Sequence, residues 1–169
     1  MANFDLTRKP GNESPLHYRL KWRALVWLLG PGRCKWVAPE VEGVRSANGR
    51  RKPDALGIAR SRSDRGWEYT VKVVEVKVSR SDFQAGYCIS GDLNYVMTPA
   101  GLIAPEELEP GVGLIEVDDR GLAVVTRKPR RMGNRDPREF PQDEVLAILQ
   151  RLSNMWRFPN GYWAKEASA

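Results

Sequence analysis

The run Val71-Lys72-Val73-Val74-Glu75-Val76-Lys77-Val78-Ser79 decides how the rest of the chain is read. Five of its nine residues are valine, whose β-branched side chain suits a pleated surface, so the run reads as a β-strand. Side chains alternate across a strand, so Val71, Val73, Glu75, Lys77 and Ser79 share one face and Lys72, Val74, Val76 and Val78 the other. A run this apolar is expected to be an interior strand covered on both faces. Burying Glu75 and Lys77 there is expensive unless each meets an opposite charge, a polar group or a metal ion. The competing reading is a solvated face, or a surface ion pair worth ~0–1 kcal/mol. Residues upstream and downstream decide between the two.

The chain has 169 residues, enough for one domain with a real core. Residues 1–169 are therefore read as a single unit, with a core over about 17–98 and a C-terminal hairpin, basic loop and helix over about 111–156. No apolar run approaches the ~20 residues that span a bilayer, and Leu25-Val26-Trp27-Leu28-Leu29 stops at Gly30. The first residues lack the pattern of a secretory signal, so no membrane partner and cytoplasmic residence are expected. Two cysteines, Cys34 and Cys88, and one histidine make neither a disulfide framework nor a zinc site. Lys and Arg outnumber Asp and Glu by 27 to 21, and a net charge of +6 favours a polyanionic partner through counterion release.

Helical spacing of Leu16, Leu20, Ala24, Trp27 and Leu28 predicts a helix from His17 to Leu29, ended by Gly30-Pro31-Gly32. Residues 34–38 are a first strand, and Asn48-Gly49 supplies the positive φ angles of a hairpin turn. A second strand follows over Pro53–Ala59, then a polar turn over Ser61–Gly66. Beyond Ser79 a short helix is expected, capped by Ser79 or Ser81, then a strand at Leu93–Thr98. Pro105 opens a helical turn, and Gly113–Val117 pairs with Leu122–Thr126. Lys128–Arg138 is a basic loop, and a final helix over about 143–156 carries Val145, Leu146, Leu149 and Leu152 on one face. The expected architecture is α/β, a mixed central sheet flanked by helices in the order αβββαβ.

Asp54 opens the second strand, and Glu-x-Lys lies on the third. Asp54 and Glu75 are 21 residues apart, but antiparallel neighbours bring such side chains close. Two converging carboxylates hold a hard divalent cation, Mg2+ or Mn2+, with several waters retained. A lysine alongside, Lys77, can orient or deprotonate an attacking water and neutralise charge on a phosphate. The set suits metal-assisted hydrolysis of a phosphodiester.

Pro53-Asp54 followed by Glu75-Val76-Lys77 resembles the PD-(D/E)xK nuclease superfamily. The longer run Val74–Phe83, with Glu-x-Lys-x-Ser-Arg-x-Asp-Phe, is similar to the MmcB-like DNA-repair group. Lys52-Pro53-Asp54 stands where that group has Arg-x-Asp, and the likeness spans roughly Trp36 to Thr98. The resemblance implies a restriction-endonuclease-like core and a DNA nuclease in which Asp54 and Glu75 bind the metal. It also implies a further acid from the first helix or strand. Glu40 is preferred to Glu42 for both catalysis and metal binding, and Glu13 is read as too far out. Either glutamate is equally well explained as hairpin solvation.

Arg50, Arg51 and Lys52, and Arg130 and Arg131 of the basic loop, are candidate DNA contacts if they fold beside Asp54 and Glu75. Arg60, Arg62 and Arg65 are similar. Ser79 and Arg80 could meet a phosphate at a helix start, although capping explains Ser79 more simply. His17 is expected on the helix surface with no catalytic role. A non-catalytic nucleic-acid-binding protein that keeps the fold, and a module that binds an acidic protein, are the rival readings. The sequence allows a homodimer without requiring one.

Overall fold

The computed structural model describes residues 13–42, 45–46, 49–50, 52–132 and 136–157; for 45–50 and 153–157 only the backbone is considered. Among the described residues eight strands and three α-helices follow one another: α1 Pro15–Leu29, β1 Cys34–Pro39, β2 Arg45–Ser46, β3 Gly49–Arg50, β4 Ala55–Ser63, β5 Gly66–Val76, α2 Arg80–Gln84, β6 Leu93–Pro99, β7 Gly113–Val117, β8 Ala123–Arg127 and α3 Gln142–Arg157. A single 3-10 turn, Pro105–Glu107, precedes β7. Six strands form one mixed sheet in the order β1-β4-β5-β6-β7-β8. The first three are antiparallel, β5, β6 and β7 run parallel, and β8 returns antiparallel. The α/β architecture with a mixed sheet and flanking helices is as expected. The short β2–β3 pair flanks the expected Asn-Gly turn, whose residues 47 and 48 lie outside the described residues.

α1 starts where its sequence says it can. The Ser14 hydroxyl accepts from the His17 amide at 3.1 Å, and Pro15 occupies the first turn, where no amide is needed. The Gly30 amide closes the last turn on the Val26 carbonyl. Leu20, Ala24, Trp27 and Leu28 pack on Ala55, Val74, Val76, Tyr95 and Met97, one face of the sheet. The opposite face carries two clusters. Val145 and Ile148 of α3 cover Leu56, Ile58, Val71 and Val73, while Tyr87, Ile89, Ile103 and Leu108 cover Val96 and Leu114. Glu75 falls between these clusters by strand alternation.

Three expectations are corrected. β4 and β5 keep pairing out to Ser63 and Gly66, so most of the polar stretch 61–66 is strand, and only Asp64 and Arg65 turn. β5 ends at Val76, leaving Lys77 just past it, although the Lys77 amide still donates to the Met97 carbonyl. In α3 the buried stripe is Val145, Ile148 and Leu152, at helical spacing, whereas Leu146 and Leu149 are about half exposed.

Gly57 lies under α1 where a side chain has no room. A Cβ there would sit 2.7 Å from the Cys34 Sγ and 3.2 Å from Leu28. Gly57→Ala is expected to destabilise the fold by about 1–3 kcal/mol, the range for overpacking. Adding Cys34→Ala should recover part of that loss in urea unfolding. Simple additivity of the two changes would contradict a steric origin.

Candidate functional site

The register aligns three acids. Pro39 pairs with Ala55, and Ala55 with Val74, so the next step along β1, β4 and β5 places Glu40, Asp54 and Glu75 side by side at one end of the sheet. The Glu40 amide donates to the Asp54 carbonyl at 3.1 Å, continuing the ladder. The Asp54 carboxylate turns along the strand ends and accepts from the Val76 amide at 2.9 Å. Glu75 is 7 % exposed, on the strand face away from α1. Lys77 is equally buried, and its ammonium lies 3.3 Å from Asp82 Oδ1. Asp82 is itself fixed: its other oxygen accepts from the Val78 amide, and its own amide donates to the Ser79 hydroxyl. Ser79 is therefore the N-cap of α2. Thr98, opposite Lys77 if the parallel register is continued, is fully buried, and its hydroxyl has no hydrogen-bond partner among the described residues.

Helix α1 supplies what the sequence reading missed. Glu13, His17 and Lys21 recur every four residues, so they line one stripe of the helix and its lead-in. His17 Nδ1 lies 2.9 Å from Glu13, and Nε2 lies 3.6 Å from Asp54. Lys21, 7 % exposed at its side chain, pairs with Glu13 and Glu40 and lies 3.9 Å from Asp54. The expectation that His17 sits on the surface without partners, and that Glu13 lies too far out, is corrected: the helix points both at Asp54. Fourfold spacing in the sequence was the available signal. Ligand atoms of Glu13, His17 and Asp54 come within 4.8 Å of one another, a group able to hold a metal ion. Glu75 is not part of that trio.

Glu40 lies just past the end of β1. Its backbone has φ 49°, the left-handed region, which costs a non-glycine residue about 1–3 kcal/mol unless the surroundings hold it there. Here they do. Its carboxylate pairs with Lys21, with Lys52 at 3.1 Å and with Arg151 of α3 at 3.1 Å. Burial would raise the Glu40 pKa, but Lys21 and Lys52 outweigh it and hold the group at about 2. Burial pulls His17 and Lys21 down, yet Asp54 and Glu13 for the one, and Glu13 and Glu40 for the other, lift both above their ordinary values. Glu42 is exposed and 3.9 Å from Lys52.

The other candidate contacts scatter. Lys52 reaches the acid row through Glu40. Arg50 has only its backbone described, and Arg51 lies outside the described residues. Arg80 makes a two-pronged pair with Glu107 at 2.7 and 2.6 Å. Among the described residues of the basic loop, Arg130 and Arg131 are held elsewhere on the sheet. The Arg130 amide bonds the Gly111 carbonyl, and Arg131 pairs with Asp92 at 3.4 Å, at the start of β6 and β7. Asp92 holds the Val71 amide, which is four residues, or roughly 13 Å, back along β5 from Glu75.

No family model and no curated protein matches this chain. A solved structure of a protein of unknown function from Silicibacter pomeroyi is similar, with a TM-score of 0.55 and 20% identity. The match covers 90% of this chain and 97% of that one, so the two share an overall fold. Among the described residues no helix is long and apolar enough to cross a membrane.

Removing the central cation should be visible in acid. Glu40 has a lowered pKa, so its contribution to stability is full above pH 4.5 and disappears as pH falls toward about 2. Lys21→Met is expected to destabilise the protein by about 1–3 kcal/mol at neutral pH, less than for a fully buried pair because Lys52 and Arg151 remain. It should also shrink the fall in stability below pH 4.5, because Glu40 without Lys21 titrates closer to its ordinary value, which urea unfolding between pH 3 and 7 reads directly. His17 has a raised pKa, so its contribution is complete below pH 6.5 and fades above. His17→Gln should flatten stability there.

Proposed function

We propose that the protein is a metal-dependent DNA nuclease of the PD-(D/E)xK type, with a restriction-endonuclease-like core. The observation that carries the reading is the row of Glu40, Asp54 and Glu75 at one end of three antiparallel strands, with Lys77 one step beyond. Support also comes from the chain's path: β5 leaves the antiparallel half, passes through α2 and returns parallel as β6. That is the αβββαβ order expected from the succession of elements in the sequence, once the small β2–β3 pair is set aside.

Carboxylates are the donors a hard cation such as Mg2+ or Mn2+ takes, and on this reading Asp54 and Glu75, on neighbouring strands about 5 Å apart in backbone spacing, would hold it. Both Glu40 oxygens are already engaged by cations, so on this reading Glu40 contributes charge and position before it contributes a ligand. His17 and Glu13 give Asp54 a second set of neighbours from α1. When bound, the metal supplies a polarised phosphate and a more acidic water. Lys77, held by Asp82, has the position to steady a water or a phosphate oxygen beside Glu75. Lys52 adds positive charge at the same edge.

The test is cleavage of plasmid and branched DNA with Mg2+ or Mn2+ and with EDTA. Wild type is expected to cut only with metal. Glu75→Gln and Lys77→Ala should each lower the rate by roughly a hundredfold or more. Equal activity in wild type and both variants would remove the enzyme reading. Metal-independent binding without cutting would instead favour the non-catalytic nucleic-acid-binding protein.

A further inference from the structure

The far end of the β4–β5 pair stands clear of the sheet. β1 pairs with β4 only as far as Ala59, and β6 joins β5 only from Lys72. Arg60 to Tyr69 is therefore a two-stranded ribbon, with pairs Arg60–Tyr69, Ser61–Glu68, Arg62–Trp67 and Ser63–Gly66. An isolated pair of strands is marginal in water, and this one is anchored by the sheet at its base. There the Tyr69 ring meets Phe140 edge-on at 5.2 Å, and the Tyr69 amide donates to the Pro137 carbonyl.

Residues directly opposite in an antiparallel pair share a face. Arg60, Arg62, Trp67 and Tyr69 therefore lie on one side, and Ser61, Ser63 and Glu68 on the other. The first side carries no acid. Trp67 is 45% exposed, and two guanidiniums stack over its ring, Arg60 at 4.2 Å from the centroid and Arg62 at 5.7 Å. Neither arginine meets a carboxylate among the described residues. By contrast, Arg80, Arg138 and Arg151 are all bound to acids of the fold. A tryptophan that orders two arginines lowers the entropy lost when they bind something else, and leaves their charge unanswered.

We infer that this ribbon is a docking element for duplex DNA, entering the major groove with Arg60 and Arg62 toward the phosphates and base edges. The groove is about 12 Å wide and admits a two-stranded ribbon, whereas the deep, narrow major groove of duplex RNA does not. Fixed guanidiniums match phosphate and guanine geometry, and the net charge of +6 agrees with a polyanionic partner. Trp67 lies eight residues from Glu75 on the same strand, roughly 27 Å at the usual rise per residue. The contact is thus separate from the acid row. The inference shares the DNA partner of the nuclease reading but needs no cleavage.

The experiment is fluorescence-anisotropy binding of a labelled 20-base-pair DNA duplex to the full chain in EDTA, across a salt series. Wild type is expected to bind the duplex more tightly than single-stranded DNA or duplex RNA of the same sequence. Arg60→Gln/Arg62→Gln should weaken binding about tenfold or more and flatten the plot of log affinity against log salt by about two units. Trp67→Ala, which frees the arginines without removing charge, should weaken binding by a few-fold with little change of slope. Thermal melts keep a folding defect distinct, and Arg62→Gln alone, expected to flatten the slope by about one unit, serves if the double variant unfolds. Unchanged affinity and slope in the folded arginine variants would overturn the inference, as would equal binding of duplex RNA, or no DNA binding by wild type. Because the assay excludes metal, loss of cleavage in wild type would leave the ribbon result standing, and an indifferent ribbon would leave the nuclease reading standing.

Discussion

The structure depends on one strand being interior and ionisable at once. β5 is antiparallel to β4 on one side and parallel to β6 on the other, with apolar layers over both faces. Such a strand can be rich in valine, as this one is at Val71, Val73, Val74 and Val76. Its last turn toward the sheet end nevertheless carries Glu75 and, just beyond, Lys77, both only 7 % exposed. An ion in that setting requires partners, so neighbouring segments are committed to providing them. Asp82 does this for Lys77, which explains why α2 begins immediately after the strand: the Ser79 cap and the Val78 amide hold Asp82 where the ammonium is.

The acid row is held by a second constraint, the ammonium of Lys21. One buried cation touches Glu13 and Glu40 and comes near Asp54, so three carboxylates from three segments gather around it. Arg151 and Lys52 then tie Glu40 to α3 and to the segment before β4. This network accounts for the left-handed backbone at Glu40. Backbone strain persists where several contacts over-determine it, and here three cations and a ladder hydrogen bond do so. An edge so charged and so constrained is a poor place to store stability.

Two regions of the molecule therefore face outward with different chemistry. The acid row gathers carboxylates around the Lys21 ammonium and is flanked by Lys52 and Arg151. The ribbon tip is positive and aromatic on one face, and its arginines are left to solvent. They lie at opposite ends of β5, which makes that strand the spine connecting the proposed cleavage edge with the proposed DNA contact. Shared fold with a protein of unknown function adds architecture and no chemistry.

Much of this was legible in the amino-acid order. Valine alternation, the apolar spacing from Leu16 to Leu28, the glycines after Leu29 and the Glu-x-Lys pattern are local signals, set by propensity and side-chain periodicity. They were enough for the α/β class and most strand positions, while the choice of Asp54, Glu75 and Lys77 rested on the Glu-x-Lys pattern and that of Glu40 on the resemblance it carries. The alignment of Glu40 with Asp54, the turning of His17, Lys21 and Glu13 toward that row, and the capture of Glu40 by Arg151 come from strand register and helix docking. These bring together residues up to 111 positions apart, which no local rule can do. The same holds for the basic loop, whose charges looked available until Asp92 and Gly111 held it at the other end of the sheet. Composition names the charges; packing decides which of them face one another, because only the folded sheet sets their distances.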